Sequence, residues 1–200
     1  MIAAQCAGTG ANLADNDRNV QDLGRYRNPP DLRGRSAVQV QLWWLVQALL
    51  FSTSPQFLYG WRRWLLRLFG AKIGQGVIIR PSVRVTYPWK LEIGDRAWVG
   101  DQVELYTLDR ISIGDDAVVS QFSKLITGSH DFETPTFDMV TKPITIEKQA
   151  WVAADCFIAP GVTVGRGAVV LARSLVTKDV AAMTVVAGQP ASVRRQRLPG

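Results

Sequence analysis

Residues 144–180, ITIEKQAWVAADCFIAPGVTVGRGAVVLARSLVTKDV, place an aliphatic residue at every sixth position: Ile146, Val152, Ile158, Val164, Val170 and Val176. Four residues after an anchor stands a small or β-branched one, as at Ala150, Cys156, Val162, Ala168 and Ser174. The same register runs upstream through Ile73, Ile79, Val85, Ile93, Val99, Leu105, Ile113, Val119 and Leu125, with Val77, Ala97, Val103, Ala117 and Ser123 as the small partners. Gly often follows the anchor directly, as in Ile93-Gly94, Val99-Gly100, Ile113-Gly114 and Val164-Gly165. Simple alternation would not hold one six-residue register over fifteen anchors, so the chain is read as a solenoid rather than a sandwich. Three hexads make one turn of a triangular coil, whose narrow interior takes one bulky and one small residue per side while Gly tolerates the corners. The fold class expected is mainly β: a parallel β-helix of about five coils over 71–182. The first three coils start 20 residues apart, each lengthened by two residues (Leu91-Glu92, Ile111-Ser112), whereas the last two start 18 apart. Cys156 falls at an inward position as a small core residue, which argues against a reactive role.

The register breaks once, after His130, and resumes at Ile144, so 131–143 is expected to project as a loop carrying Asp131, Glu133 and Asp138. His130 is the only histidine of the chain. An imidazole titrating near neutrality at the base of a projecting loop suits removal of a proton from a hydroxyl. Asp109, one coil earlier at an inward-type position, is a carboxylate that is costly to bury without a partner and reads from position alone as a corner-capping group.

Upstream of the coils, residues 1–36 lack any period and read as a flexible or loosely docked arm, and 37–70 as a helical segment broken at Ser54-Pro55. The first helix, 38–51, is strongly apolar but too short to span a bilayer. In the second, 56–69, Phe57, Trp61, Trp64, Leu65 and Leu68 form an apolar stripe, Arg62, Arg63 and Arg67 fall away from it, and Gly70 ends it. The pair fits either a membrane interface, apolar side inward and cations toward anionic lipid, or a cap on the open end of the solenoid. The net charge of +6 is local: Lys and Arg number eleven against the single acid Asp31 in 23–91, while the remainder is slightly acidic. No nucleic-acid-binding motif accompanies that charge. The N-terminus lacks the basic and apolar regions of a secretory signal, and two distant cysteines fit a reduced cytoplasmic setting. One histidine excludes a metal site built on several imidazoles, so no metal is expected.

The C-terminal repeats followed by VVAGQPA (185–191) resemble the hexapeptide-repeat acyltransferases, in particular the maltose and galactoside acetyltransferase group. The stretches WRRWLLRLFGAKIG (61–74), YPWKLEIG (87–94), LYTLDRISIG (105–114) and TGSHDFETPTFDMVTKPI (127–144) are similar to O-acetyltransferases of exopolysaccharide assembly of the colanic-acid type. The resemblance covers 73–195. It implies a left-handed helix, a homotrimer, acetyl-CoA as co-substrate and a sugar or lipid-linked glycan as acceptor, with His130 as general base and Asp109 and Asp131 at the acceptor. Trp151, Ala154, Ala172, Thr177, Lys178 and Arg195 are the matching donor-site positions, Ala154 standing where the sugar enzymes carry a serine. Peripheral contact with the inner face of the membrane through 38–69 completes that reading. A soluble amino-sugar N-acyltransferase and a non-catalytic trimeric scaffold are the alternatives.

Overall fold

The computed structural model describes residues 20–198. A three-sided parallel β-helix occupies most of it. Face A is built from Lys72–Ile73, Leu91–Ile93, Ile111–Ile113, Ile144–Ile146 and Thr163–Val164. Face B stacks Ile78–Ile79, Trp98–Val99, Val118–Val119, Trp151–Val152, Val169–Val170 and Thr184–Gly188. Face C stacks Arg84–Val85, Glu104–Tyr106, Lys124–Ile126, Phe157–Ile158 and Leu175–Val176. Five complete coils are thus followed by part of a sixth, in which Val180 bridges Val164 on face A and Thr184–Gly188 adds a rung to face B. All fifteen anchors and their ten small partners are buried, and each anchor pairs with the anchor of the next coil, as in Ile73, Ile93, Ile113, Ile146 and Val164 on face A. The two-residue extension adds a further inward residue to face A, at Leu91, Ile111 and Ile144, all buried.

The corners have a different logic from the one expected of their glycines. Gly94, Gly100, Gly114 and Gly165 all precede a corner whose counterpart in the next coil passes very close. A Cβ on Gly114 would lie 2.5 Å from Lys148 N, and one on Gly94 2.7 Å from Asp115 N. Close approach, rather than a special φ, requires glycine there. The left-handed residue of each corner is usually not glycine: Arg96, Gln102, Asp116, Phe122, Gln149, Asp155 and Arg173 all have φ near +60°. What offsets that cost is a hydrogen bond to the corner below, as from Asp116 N to Asp95 O, Gln149 N to Asp115 O and Arg173 N to Ala154 O. Carboxylates add a second tie, Asp95 Oδ1 accepting from Gln75 N and Asp115 Oδ1 from Asp95 N, each at 2.7 Å.

Two helices close the first coil: α1 (Ala37–Val46), which runs on into a π-helical turn over Gln47–Phe51, and α2 (Tyr59–Leu68). Their orientation corrects the sequence expectation for α2. The arginines face the solenoid, while Phe57, Trp61, Trp64 and Leu68 of the expected inward stripe are exposed and only Leu65 and its neighbour Leu66 are buried. The reason lies in coil 1, whose outer edge presents backbone groups with no next coil to pair with. Arg67 donates to Ile73 O, Arg63 to Val77 O and Arg62 Nε to Ile79 O at 2.7 Å. On face C, α1 does the same work: Trp43 Nε1 donates to Val85 O, and Gln47 Oε1 accepts from Val85 N. Trp43 and Phe51 fill the open end of the apolar core.

Residues 20–36 of the expected arm are docked, Trp89 Nε1 donating to Arg33 O and Lys90 Nζ to Leu32 O, with Leu32 packed beside Val40, Tyr87 and Leu108. The portion of the arm before residue 20 lies outside the described residues. At the other end, Thr184–Gly188 forms the sixth rung of face B, and Ala191–Gln196 folds back antiparallel to it.

Candidate functional site

The interrupted register after coil 3 forms a β-hairpin rather than an irregular loop, Gly128–His130 pairing antiparallel with Met139–Thr141. It springs from the edge between faces C and A, where Lys142 N returns to Thr127 O and restores the coil. His130 sits at the last paired position, opposite Met139. Its Nδ1 lies 2.8 Å from Phe137 O, and its ring stacks on the Phe137 ring at 4.2 Å between centroids. A carbonyl only accepts, so Nδ1 carries the proton and Nε2 presents its lone pair. Phe137 holds φ at +52°, a left-handed conformation uncommon for an aromatic residue, within the turn that aims this carbonyl. The tip is braced from the arm: Asp22 N donates to Pro135 O, and the Tyr26 ring lies 5.8 Å from the imidazole. A pocket of about 350 Å³ opens beside His130, lined by Asp131, Phe132, Glu133, Val140, Lys142 and Pro160 among others.

The two expected acceptor carboxylates are placed differently. Asp131 Oδ1 accepts from Glu133 N and Asp131 N donates to Asp138 O, so this residue shapes the hairpin while lining the pocket. Asp109 is half-buried at the same edge one coil below, its Oδ1 accepting from the next backbone amide, Arg110 N, at 2.7 Å. That is a corner-capping contact, and the group that orients His130 is the Phe137 carbonyl instead. Burial lowers the pKa of Lys90, and the Asp109 carboxylate opposes part of that shift.

The donor-side positions fall on two edges. Thr177 and Lys178 follow Val176 in coil 5, on the edge that carries His130 two coils lower; Pro160 of coil 4 stands between them in the stack. Ala154 and Ala172 occupy equivalent corners of coils 4 and 5 between faces B and C, joined by the Arg173 N to Ala154 O bond. The Ala154 amide makes no backbone hydrogen bond among the described residues, and a small side chain on each leaves that corner low. Trp151 is outward on face B, its Nε1 donating to Ser120 Oγ, and Arg195 pairs with Val185 on the final hairpin. Within one chain, face C separates these two groups.

Phe137, Tyr26, Lys142 and Pro160 escaped the sequence reading. A backbone carbonyl has no residue signature, and nothing in the aperiodic arm marks Tyr26 as a neighbour of a residue 104 positions on. Outward residues of face B are a second unanticipated feature: Ile78, Trp98, Val118, Trp151 and Val169 form one apolar ladder. Cys156 is buried as expected, and burial pushes its thiol pKa up. Among the described residues no cluster of histidine, cysteine and carboxylates suits a metal ion.

The chain is 56% identical over 179 residues to the putative colanic acid biosynthesis acetyltransferase WcaF of Escherichia coli K12, covering 90% of this chain and 98% of that one. To the galactoside O-acetyltransferase of the same organism it is 30% identical over 138 residues, 68% of each chain. No family model matches. Among solved structures, the galactoside acetyltransferase in complex with coenzyme A superposes with a TM-score of 0.74 at 25% identity, over 85% of this chain and 84% of that one. A hexapeptide-repeat containing acetyltransferase of Vibrio cholerae O1 biovar eltor complexed with acetyl coenzyme A gives 0.72 at 26%, over 84% and 88%.

Proposed function

Since the chain belongs to the hexapeptide-repeat acetyltransferases, we propose that it moves an acetyl group from acetyl-CoA to a sugar hydroxyl of an exopolysaccharide precursor, with His130 as general base. The observation that carries this reading is the Nδ1 contact with Phe137 O, which leaves Nε2 free to accept a proton. As the acceptor oxygen bonds to the acyl carbon, Nε2 takes the hydroxyl proton and returns it to the departing thiol sulfur, so no covalent acyl-enzyme is required. Acetyl-CoA supplies the activated acyl group. The residues suited to it are Ala154 and Ala172 along the low corner, with the Ala154 N–H as a donor to the acyl oxygen, Trp151 beside them, and Thr177, Lys178 and Arg195 toward the phosphates. Asp131 and the hairpin pocket hold the acceptor.

The working unit is a homotrimer. Two features support it: the apolar ladder of face B, which suits burial against a second copy, and the division of base and donor positions between two edges of one prism. The site is complete only where the His130 edge of one copy meets the Ala154 corner of the next. Its place of work is the inner membrane face, with contact through 38–69. No helix is long and apolar enough to cross a membrane among the described residues.

Acetyl-CoA turnover with candidate glycan acceptors tests this. His130→Gln is expected to lower kcat by about 10²–10⁴-fold while coenzyme A affinity stays unchanged. Undiminished turnover in that variant removes His130 from the chemistry.

A further inference from the structure

The reversed helix α2 leaves an apolar surface on the outer side of the cap. Leu42, Leu45 and Leu49 share one face of α1 and its extension, and Trp61, Trp64 and Leu68 share one face of α2. The two are joined where Trp61 Nε1 donates to Leu50 O and the Trp61 and Trp64 rings stack at 5.1 Å. Leu45, Leu49, Trp64 and Leu68 are 50–63% exposed. These six exposed large side chains make a patch on the order of several hundred Å², large enough to mark an interaction site. Trp44 and Trp61 direct their N–H groups to Thr86 O and Leu50 O, so what they offer outward is ring.

Charge selects the occupant. From Leu32 to Leu91 there is no acidic residue, and while Arg62 is buried, Arg33, Arg35, Lys72 and Arg84 are exposed around the same end of the prism. Of these, Lys72 is paired to Glu92 at 2.8 Å, while the helical layer itself carries no acid. An apolar centre in an acid-free layer flanked by cations is complementary to an anionic bilayer, where aromatic and leucine side chains enter the interface and cations meet headgroups. We propose that this cap is a membrane-docking face that stands the prism end-on upon the bilayer, coil 1 nearest the lipid. The proposal deepens the reading that the protein works at the inner membrane face through 38–69, and rests on it. It also sets a height: the His130 hairpin, two rungs of about 4.8 Å above coil 1 and beyond a helical layer about 10 Å thick, stands roughly 20 Å from the lipid contact plane. The acceptor hydroxyl is therefore presented well clear of the headgroups. In a trimer with parallel prisms, three such faces bind together and gain by avidity.

The test is flotation of the full chain with phosphatidylcholine–phosphatidylglycerol vesicles, at low salt and at about 1 M NaCl, where screening is nearly complete. The wild type is expected to float in both conditions. L45E/L49E/W64E, which alters only exposed positions, is expected to bind at least tenfold less while keeping its circular dichroism and its turnover of a soluble acceptor. Failure of the wild type to float overturns the proposal, as does equal flotation of the triple variant, or binding that disappears in salt and ignores the apolar changes. A doubling of solution mass that the triple variant abolishes, without flotation, assigns the face to a second copy of the chain. His130→Gln is expected to float like the wild type, so loss of activity and loss of docking are read separately.

Discussion

At His130 the decisive atom is a backbone oxygen. Phe137 contributes it from a left-handed turn and covers the imidazole with its own ring. Phe137→Ala keeps the carbonyl in the chain but removes the stacked ring and leaves the turn less constrained. It is expected to lower kcat about tenfold, roughly 1.4 kcal/mol of transition-state stabilisation, with KM for acetyl-CoA unchanged; equal activity shows that the turn alone holds the imidazole. Arg62 makes the opposite kind of use of backbone oxygens. Its buried guanidinium donates to Ile79 O, Pro55 O, Gln56 O and Ser54 Oγ, and its pKa is lowered chiefly by burial, with Tyr59 opposing the shift. Arg62→Met leaves several buried acceptors without a donor, at about 1–3 kcal/mol each. Thermal unfolding should show a loss of at least about 3 kcal/mol, and a loss below about 1 kcal/mol means that water replaces the side chain. Cys156 titrates in the other direction from an activated thiol: burial raises its pKa, so deprotonation is deferred to higher pH than for a free cysteine. Alkylation of the Cys156 peptide, followed by mass spectrometry at about pH 8, is expected only under unfolding conditions; prompt native labelling contradicts the burial.

Among the elements, the corners give the sharpest contrast between two glycines of the same coil stack. A Cβ on Gly114 meets Lys148 N at 2.5 Å and Glu147 C and Lys148 Cα at 2.9 Å, all backbone atoms that cannot step aside. One on Gly76 has no neighbour nearer than 3.5 Å but must tolerate φ of +64°. Gly76→Ala is expected to cost about 1 kcal/mol, and Gly114→Ala clearly more because coils 3 and 4 must separate locally. Comparable melting temperatures for the two would show that corner spacing is softer than these contacts imply. The hexads were readable because a narrow prism imposes the same burial on every sixth residue, and that demand is local. The face that α2 turns inward was not. Its arginines answer the unpaired carbonyls of Ile73, Val77 and Ile79, which exist only once coil 1 has closed, whereas an apolar stripe on a helix looks the same in sequence whether it meets protein or something else. The hairpin around His130 was legible as an interruption but not as paired strands, since its polar residues carry no alternation. His130 itself stood out as a lone imidazole where the register stops; its orienting partner did not.

For the whole molecule, the arrangement of positions around one prism argues for a shared site. Lys178 rises on the edge of His130, while Ala154 and Ala172 lie across face C, and no bend of a stacked β-helix brings two of its own edges together. Trp98, within the face B ladder and 54% exposed, gives the means to test the proposed contact between copies. Trp98→Glu disturbs no inward contact, so the coil should persist; light scattering is expected to show monomers, with acetyl transfer reduced by at least about 100-fold if a productive geometry worth about 2.7 kcal/mol or more is assembled only between copies. A stable oligomer in this variant places the contact elsewhere. Complementation then tests the division of labour directly. His130→Gln lacks the proposed base, and Ala154→Trp fills the low corner along which the donor is proposed to pass; each variant alone is expected to be inactive. When the two are unfolded and refolded together, some interfaces pair an intact His130 edge with an intact Ala154 corner, so turnover should reappear. A site contained within one chain cannot recover in this way, because every copy in the mixture still carries one of the two lesions.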